Sequence, residues 1–128
     1  MRVAITTTED RFDEVASHFV EQGLEPVLLP CIRVVPEPSD VLDSVRNTIA
    51  SVGDVMVSSS RAIEVLCPDG GQVHADFYVV GPATAAAAVQ RGGKVRWEGS
   101  GGLGELSRAM VPLGLERVVF PHADGTNL

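Results

Sequence analysis

At 128 residues the chain has the length of one folding unit, or of one unit and part of another. Its formal net charge is −7, and its ten Lys and Arg residues are scattered, which excludes a nucleic-acid backbone as partner because that contact needs clustered cations. No window of ~18 apolar residues occurs, and the opening MRVAITTTED lacks the apolar stretch of a secretory signal, so a soluble cytoplasmic protein without membrane contact is expected.

In chain order, RVAITT (2–7) reads as a short apolar strand, followed by a helix with Phe12, Val15, Ala16 and Phe19 at helical spacing and Gly23 at its end. EPVLLP (25–30) is a second strand. In IRVVPEP (32–38) the prolines forbid a helix and predict an extended crossing segment. Ser39 or Asp40 is expected to cap a helix that places Val41, Leu42, Val45 and Ile49 on one face. The same alternation then continues. Strand 54–59 leads to a short helix from Ser60, strand 76–81 to a helix from Pro82, strand 94–99 to a helix around Leu103, Leu106 and Met110, and a last strand spans 117–121.

Apolar strands separated by amphipathic helices predict an α/β fold with parallel sheets flanked by helices. Aromatic residues make up only 5% of the chain, so Val, Leu, Ile and Ala must fill its core. The helix in VVGPATAAAAVQRGG suits that need, since alanine has high helix propensity and lets a helix lie close to a sheet. Pro82 fits its first turn. Cys31 and Cys67 have no CxxC partner and no histidine at metal-ligand spacing, so both are expected to be buried small hydrophobes; no metal and no cofactor are expected.

Open α/β sheets bind ligands at the carboxyl ends of their strands, where helix N-termini offer N–H groups. Small hydroxyl or glycine residues stand at each such end: Thr6, Thr7 and Thr8; Ser58, Ser59 and Ser60; Gly81 and Thr84; Ser100, Gly101 and Gly102. Each hydroxyl alone could simply cap a helix. Their joint presence points to an anionic ligand, and neither GxxxxGK[ST] nor GxGxxG follows a strand to indicate a nucleotide.

The ordered segments VAITTTEDRFDEVASHFVEQGLEPVLLPCIRVVP, VMVSSSRAIEVL, VVGPATAAAAVQRGGKVRW, GLGELSRAM and RVVFPHAD resemble the uroporphyrinogen-III synthase family, most specifically in VGPATA and in the Ser-Ser-x-Arg-Ala turn. The resemblance implies two α/β domains joined by a two-stranded linker. Residues 1–31 would then begin the first domain, 32–38 cross over, and 39–128 form the second. It also implies closure of hydroxymethylbilane, a linear polycarboxylate tetrapyrrole, with inversion of its last pyrrole ring, in haem and other tetrapyrrole biosynthesis. Motif by motif, Ser59, Arg61 and Thr84 become substrate-carboxylate contacts, with Thr7, Gly81 and His122 at neighbouring strand ends. No catalytic residue is assigned. Arg61 could equally be a solvated surface arginine, and His122 a simple polar residue.

The chain departs from the family pattern in several places. Thr6-Thr7-Thr8 replaces Thr-Arg-Pro, and Pro121-His122-Ala123 replaces Pro-Arg-Gly. The tyrosine that the resemblance assigns to hydroxyl loss has no counterpart, since Tyr78 lies inside a strand. RVAITTTED at 2–10 and RVVFPHADG at 117–125 share a pattern, as if a second copy of the opening unit had begun. The chain is therefore expected to be a piece of a longer synthase, inactive alone and able to self-associate through residues 2–30. The alternative is a non-catalytic small-molecule binding or regulatory module on the same scaffold.

Overall fold

The computed structural model describes residues 1–31 and 33–123. Ile32 of the expected crossing, and Asp124 of the second polar turn, lie outside the described residues. The chain divides into two compact units, Met1–Pro36 and Glu37–Leu128.

In the first unit, β1 (Arg2–Ile5) and β2 (Glu25–Leu28) pair in parallel, with Arg2 opposite Glu25 and Ile5 opposite Leu28. A 3-10 turn at Glu9–Arg11 and α1 (Phe12–Glu21) connect them. Helix α1 carries Asp13 and Glu14 in its first turn and His18 in its last, which suits the helix dipole. It stops where Gly23, at φ +75°, donates its N–H to the Val20 carbonyl at 2.9 Å. Strand β2 ends before the expected residue 30, because Leu29 makes the last bond to Ile5 and Pro30 has no N–H to continue the ladder. Cys31 corrects the sequence expectation: it is exposed, lying beyond β2 in a stretch whose described residues are all exposed. Among the described residues neither strand has a second partner.

The second unit runs α2 (Ser39–Val52), β3 (Asp54–Val57), α3 (Ser60–Leu66), β4 (Asp76–Val80), α4 (Pro82–Gln90), β5 (Lys94–Gly99) and α5 (Leu103–Met110). Its sheet has the order β3-β4-β5 and every pairing is parallel. The expected strand 117–121 contracts to one parallel bridge of Val119 to Val55, held by Met56 N–H to Val119 C=O at 2.9 Å and Val119 N–H to Asp54 C=O at 3.0 Å. Pro121 cannot extend that ladder as a donor. Helix α2 is also entered differently from the expectation. Pro38 is its N-cap, with its carbonyl accepting the Leu42 N–H at 3.1 Å, and Asp40 falls inside the first turn, where its charge meets the positive helix end. Val41, expected on the buried face, is 40% exposed.

Strand alternation distributes the core between two faces. Val55, Val57, Phe77 and Val79 point to one side and pack with Ile49 of α2, Ile63 and Leu66 of α3, Cys67, and Ala88 of α4. Tyr78 points to the other side and packs with Leu106 and Met110 of α5, flanked by Met56, Val80 and Trp97. Burying a side chain such as Phe77 contributes roughly 1.5–3 kcal/mol, so the first cluster dominates the unit's stability. Cys67 is buried as expected, and burial pushes its thiol pKa up.

Tyr78 donates its phenol O–H to Asp54 Oδ1 at 3.2 Å. Burial, and then the adjacent Asp54 carboxylate, raise its pKa above the ordinary tyrosine value. Folding therefore holds the phenolic proton more tightly than the unfolded chain does, a contribution present in full below pH ~10 and lost as pH rises through the raised value. Tyr78→Phe is expected to cost about 1 kcal/mol at neutral pH and to flatten the alkaline fall in stability, as read by urea melts from pH 8 to 11. An alkaline limb unchanged from wild type would show that other groups carry it.

Candidate functional site

Parallel pairing places the carboxyl ends of β3, β4 and β5, and the segment after Val119, along one edge of the second unit's sheet. Ser59, Arg61, Gly81, Thr84 and His122 follow those ends, so five of the six residues singled out in the sequence share this edge. Thr7 belongs to the first unit, where it is half-buried two residues after β1.

At the β3 end, Ser59 is the N-cap of α3, and its Oγ accepts the Arg61 N–H at 3.2 Å. The cap reading is therefore correct for this hydroxyl, whose O–H remains a possible donor. Arg61 Nη1 lies 3.2 Å from Glu64 Oε2, one turn along the same helix, and its side chain is 24% exposed. That pairing holds the guanidinium over the first turn, so Arg61 is not a freely solvated arginine.

At the β4 end, Gly81 has φ +87° and ψ 152°, a conformation that favours glycine, and turns the chain directly into α4 with Pro82 at the first helical position. A Cβ on Gly81 would meet nothing within 4 Å, so the space above this residue is open. Thr84 is 5% exposed, the buried polar residue among the described side chains, and no described side chain leaves a buried polar atom unpartnered. At the far side of β3, His122 is exposed, stacks on Phe120 with ring centroids 5.0 Å apart, and its Nδ1 lies 2.8 Å from the Ala123 carbonyl.

At the β5 end Ser100, Gly101 and Gly102 lead into α5, and its N-cap Gly102, at φ +86°, has nothing within 4 Å of where a Cβ would stand. Glu105, three positions past the N-cap Gly102, turns its carboxylate back over the loop. A Cβ on Gly99 would come 2.6 Å from Glu105 Oε1 and overlap the Trp97 ring, and one on Gly101 would overlap Glu105 Oε2. A side chain on Gly101 would have to push the Glu105 carboxylate aside, and one on Gly99 the Trp97 ring as well. Only the capping-box position of the glutamate signals this in the sequence.

Two surface hollows of the second unit lie elsewhere. One, of about 540 Å³, follows the polar face of α2 opposite Arg117; the other, of about 290 Å³, lies between Met56, Met110 and Phe120. Among the described residues, no three metal-ligating side chains cluster and no helix is long and apolar enough to cross a membrane.

The second unit is thus an α/β unit with a parallel sheet flanked by helices, whose carboxyl edge carries glycine and hydroxyl residues. The family described as uroporphyrinogen-III synthase HemD matches residues 13–127, and the chain belongs to it. Its general place is thereby tetrapyrrole biosynthesis. No curated protein matches the chain.

Proposed function

We propose that this chain binds hydroxymethylbilane or a related polycarboxylate tetrapyrrole at the carboxyl edge of the second unit's sheet, as part of uroporphyrinogen-III synthesis. The observation that carries the reading is the alignment of Ser59, Arg61, Gly81 and Thr84 along one edge in a chain of this family. In this reading Arg61 supplies the one cationic contact among the four. The Ser59 hydroxyl and the N–H groups at the start of α4 supply neutral donors, and the open space above Gly81 admits a carboxylate.

The reaction proposed for the substrate is largely a matter of geometry. Loss of its hydroxyl as water leaves an electrophilic azafulvene; the terminal ring attacks through its substituted carbon to give a spiro intermediate; fragmentation and recombination then deliver the inverted ring. An unheld chain closes without inversion, so fixing the carboxylates in one folded arrangement selects the product. His122, at the same edge, is the candidate proton donor to the departing hydroxyl. Tyr78 is the chain's single tyrosine, and its O–H is directed to Asp54. On that ground binding without measurable type III product is expected from this chain alone.

Uroporphyrin III titrated into the protein at low salt, followed by fluorescence quenching, tests the reading. Saturable binding is expected, weakened by Arg61→Ala and by salt, since exposed charge contacts are screened within ~10 Å at 0.1 M. Thr84→Val should weaken binding with little change in melting temperature if the hydroxyl contacts the ligand. Binding unaffected by Arg61→Ala would remove this edge as the site, and salt-insensitive binding would favour a non-catalytic apolar binder instead. Among the described residues β1 and β2 pair only with each other, which supports a companion expectation, association of copies through residues 2–30, seen as a dimer in sedimentation velocity.

A further inference from the structure

The two faces of the second unit's sheet are covered unequally. Helices α2, α3 and α4 pack on one face, while α5, with Leu115 and Val118, packs on the other. Helix α5 turns Leu106 and Met110 onto the sheet, and the chain then enters a 3-10 turn, Val111–Leu113, with Pro112 inside it and Gly114 closing it at φ +65°. The two large apolar side chains of that turn face outward: Val111 is 79% exposed and Leu113 50%. Beside them lies the hollow of about 290 Å³, whose walls include Met56, Met110, Val118 and Phe120.

We propose that this face of the second unit is an interface between two copies of the chain, related by a two-fold axis, with the protruding turn of each copy seated in the hollow of the other. Shape and charge both select a second copy as the occupant. A two-fold contact is self-complementary, so one patch must supply both a projection and a recess, and here an apolar turn stands directly beside an apolar hollow. Docking removes Val111 and Leu113 from water. The chain as a whole carries a charge of −7, which makes copies repel over most of their surface. From Leu106 to Glu116, however, it carries one cation, Arg108, and one anion, Glu116, both exposed. This stretch is neutral, and a two-fold contact can set each charge against its opposite. The surface belongs to the second unit and is separate from residues 2–30, and it does not depend on the proposed ligand site.

Sedimentation velocity over a concentration series, together with amide shifts of the labelled full chain followed on dilution, tests the proposal. Dilution is expected to move the amides of Val111, Leu113, Leu115 and Phe120. Leu113→Asp should weaken the association by about tenfold, because a carboxylate would have to enter the apolar hollow of the other copy. Its melting temperature at low concentration should stay near that of wild type, since Leu113 is half exposed in the single copy. Val111→Ser should weaken the association as well, and keeps the question answerable if the aspartate variant folds poorly. Association unchanged in both variants, or dilution shifts confined to residues 2–30, overturns this proposal and leaves association through the first unit standing. A chain that stays monomeric at the concentrations used for the amide spectra overturns both.

Discussion

Every parallel hydrogen-bonded ladder runs its strands in one direction, and from that constraint the rest of the second unit follows. With β3, β4 and β5 parallel, and Val119 joining β3 in the same sense, each connection must return across a face of the sheet, and each strand must end on the same edge. The returning segments become helices because their apolar residues recur at helical spacing. Strands β3 and β4 are largely apolar on both sides because both sides are covered, whereas β5 alternates and leaves Lys94, Arg96 and Glu98 exposed. The hydroxyls and glycines that follow the strands are then neighbours in space, although 63 residues of sequence separate Ser59 from His122.

Alanine and glycine at the β4 and β5 ends have different reasons to be small. In α4, Ala88 is fully buried and Ala85 and Ala87 pack against the main core, so short side chains let the helix settle close to the sheet. Gly81 is small because of its backbone conformation, and the space above it is vacant. A side chain on Gly99 would meet Glu105 and the Trp97 ring, and one on Gly101 would meet Glu105, whereas Gly102, the N-cap of α5, repeats Gly81 with φ +86° and open space around an added Cβ.

Much of this architecture was legible in the sequence. Strands 54–57, 76–80 and 94–99 follow from short apolar runs bounded by Gly, Ser or Asp, and the helices between them from their spacing. Cys67 and Cys31 show where such reasoning stops. Both read as small hydrophobes, but only Cys67 stands at the end of a helix packed on the sheet, whereas Cys31 follows Pro30 outside any element. The last strand was read too long because an apolar run does not reveal how many partners it has, and among the described residues Val119 bridges β3 alone. Grouping Ser59, Arg61, Gly81 and Thr84 was possible from topology alone. The approach of Glu105 to Gly99 and Gly101 was not, because it depends on a side chain turning back over its own helix start.

The central claim is that a polycarboxylate tetrapyrrole lies along the carboxyl edge of the second unit's sheet. Amide chemical-shift mapping on the isotopically labelled chain, titrated with uroporphyrin III at low salt, tests it most directly. The account predicts the largest changes at the amides of Ser58 to Arg61 and of Gly81 to Ala85, with the polar face of α2 from Asp40 to Ser51 nearly unmoved. Changes concentrated on that face of α2, or around Met56 and Met110, would contradict it.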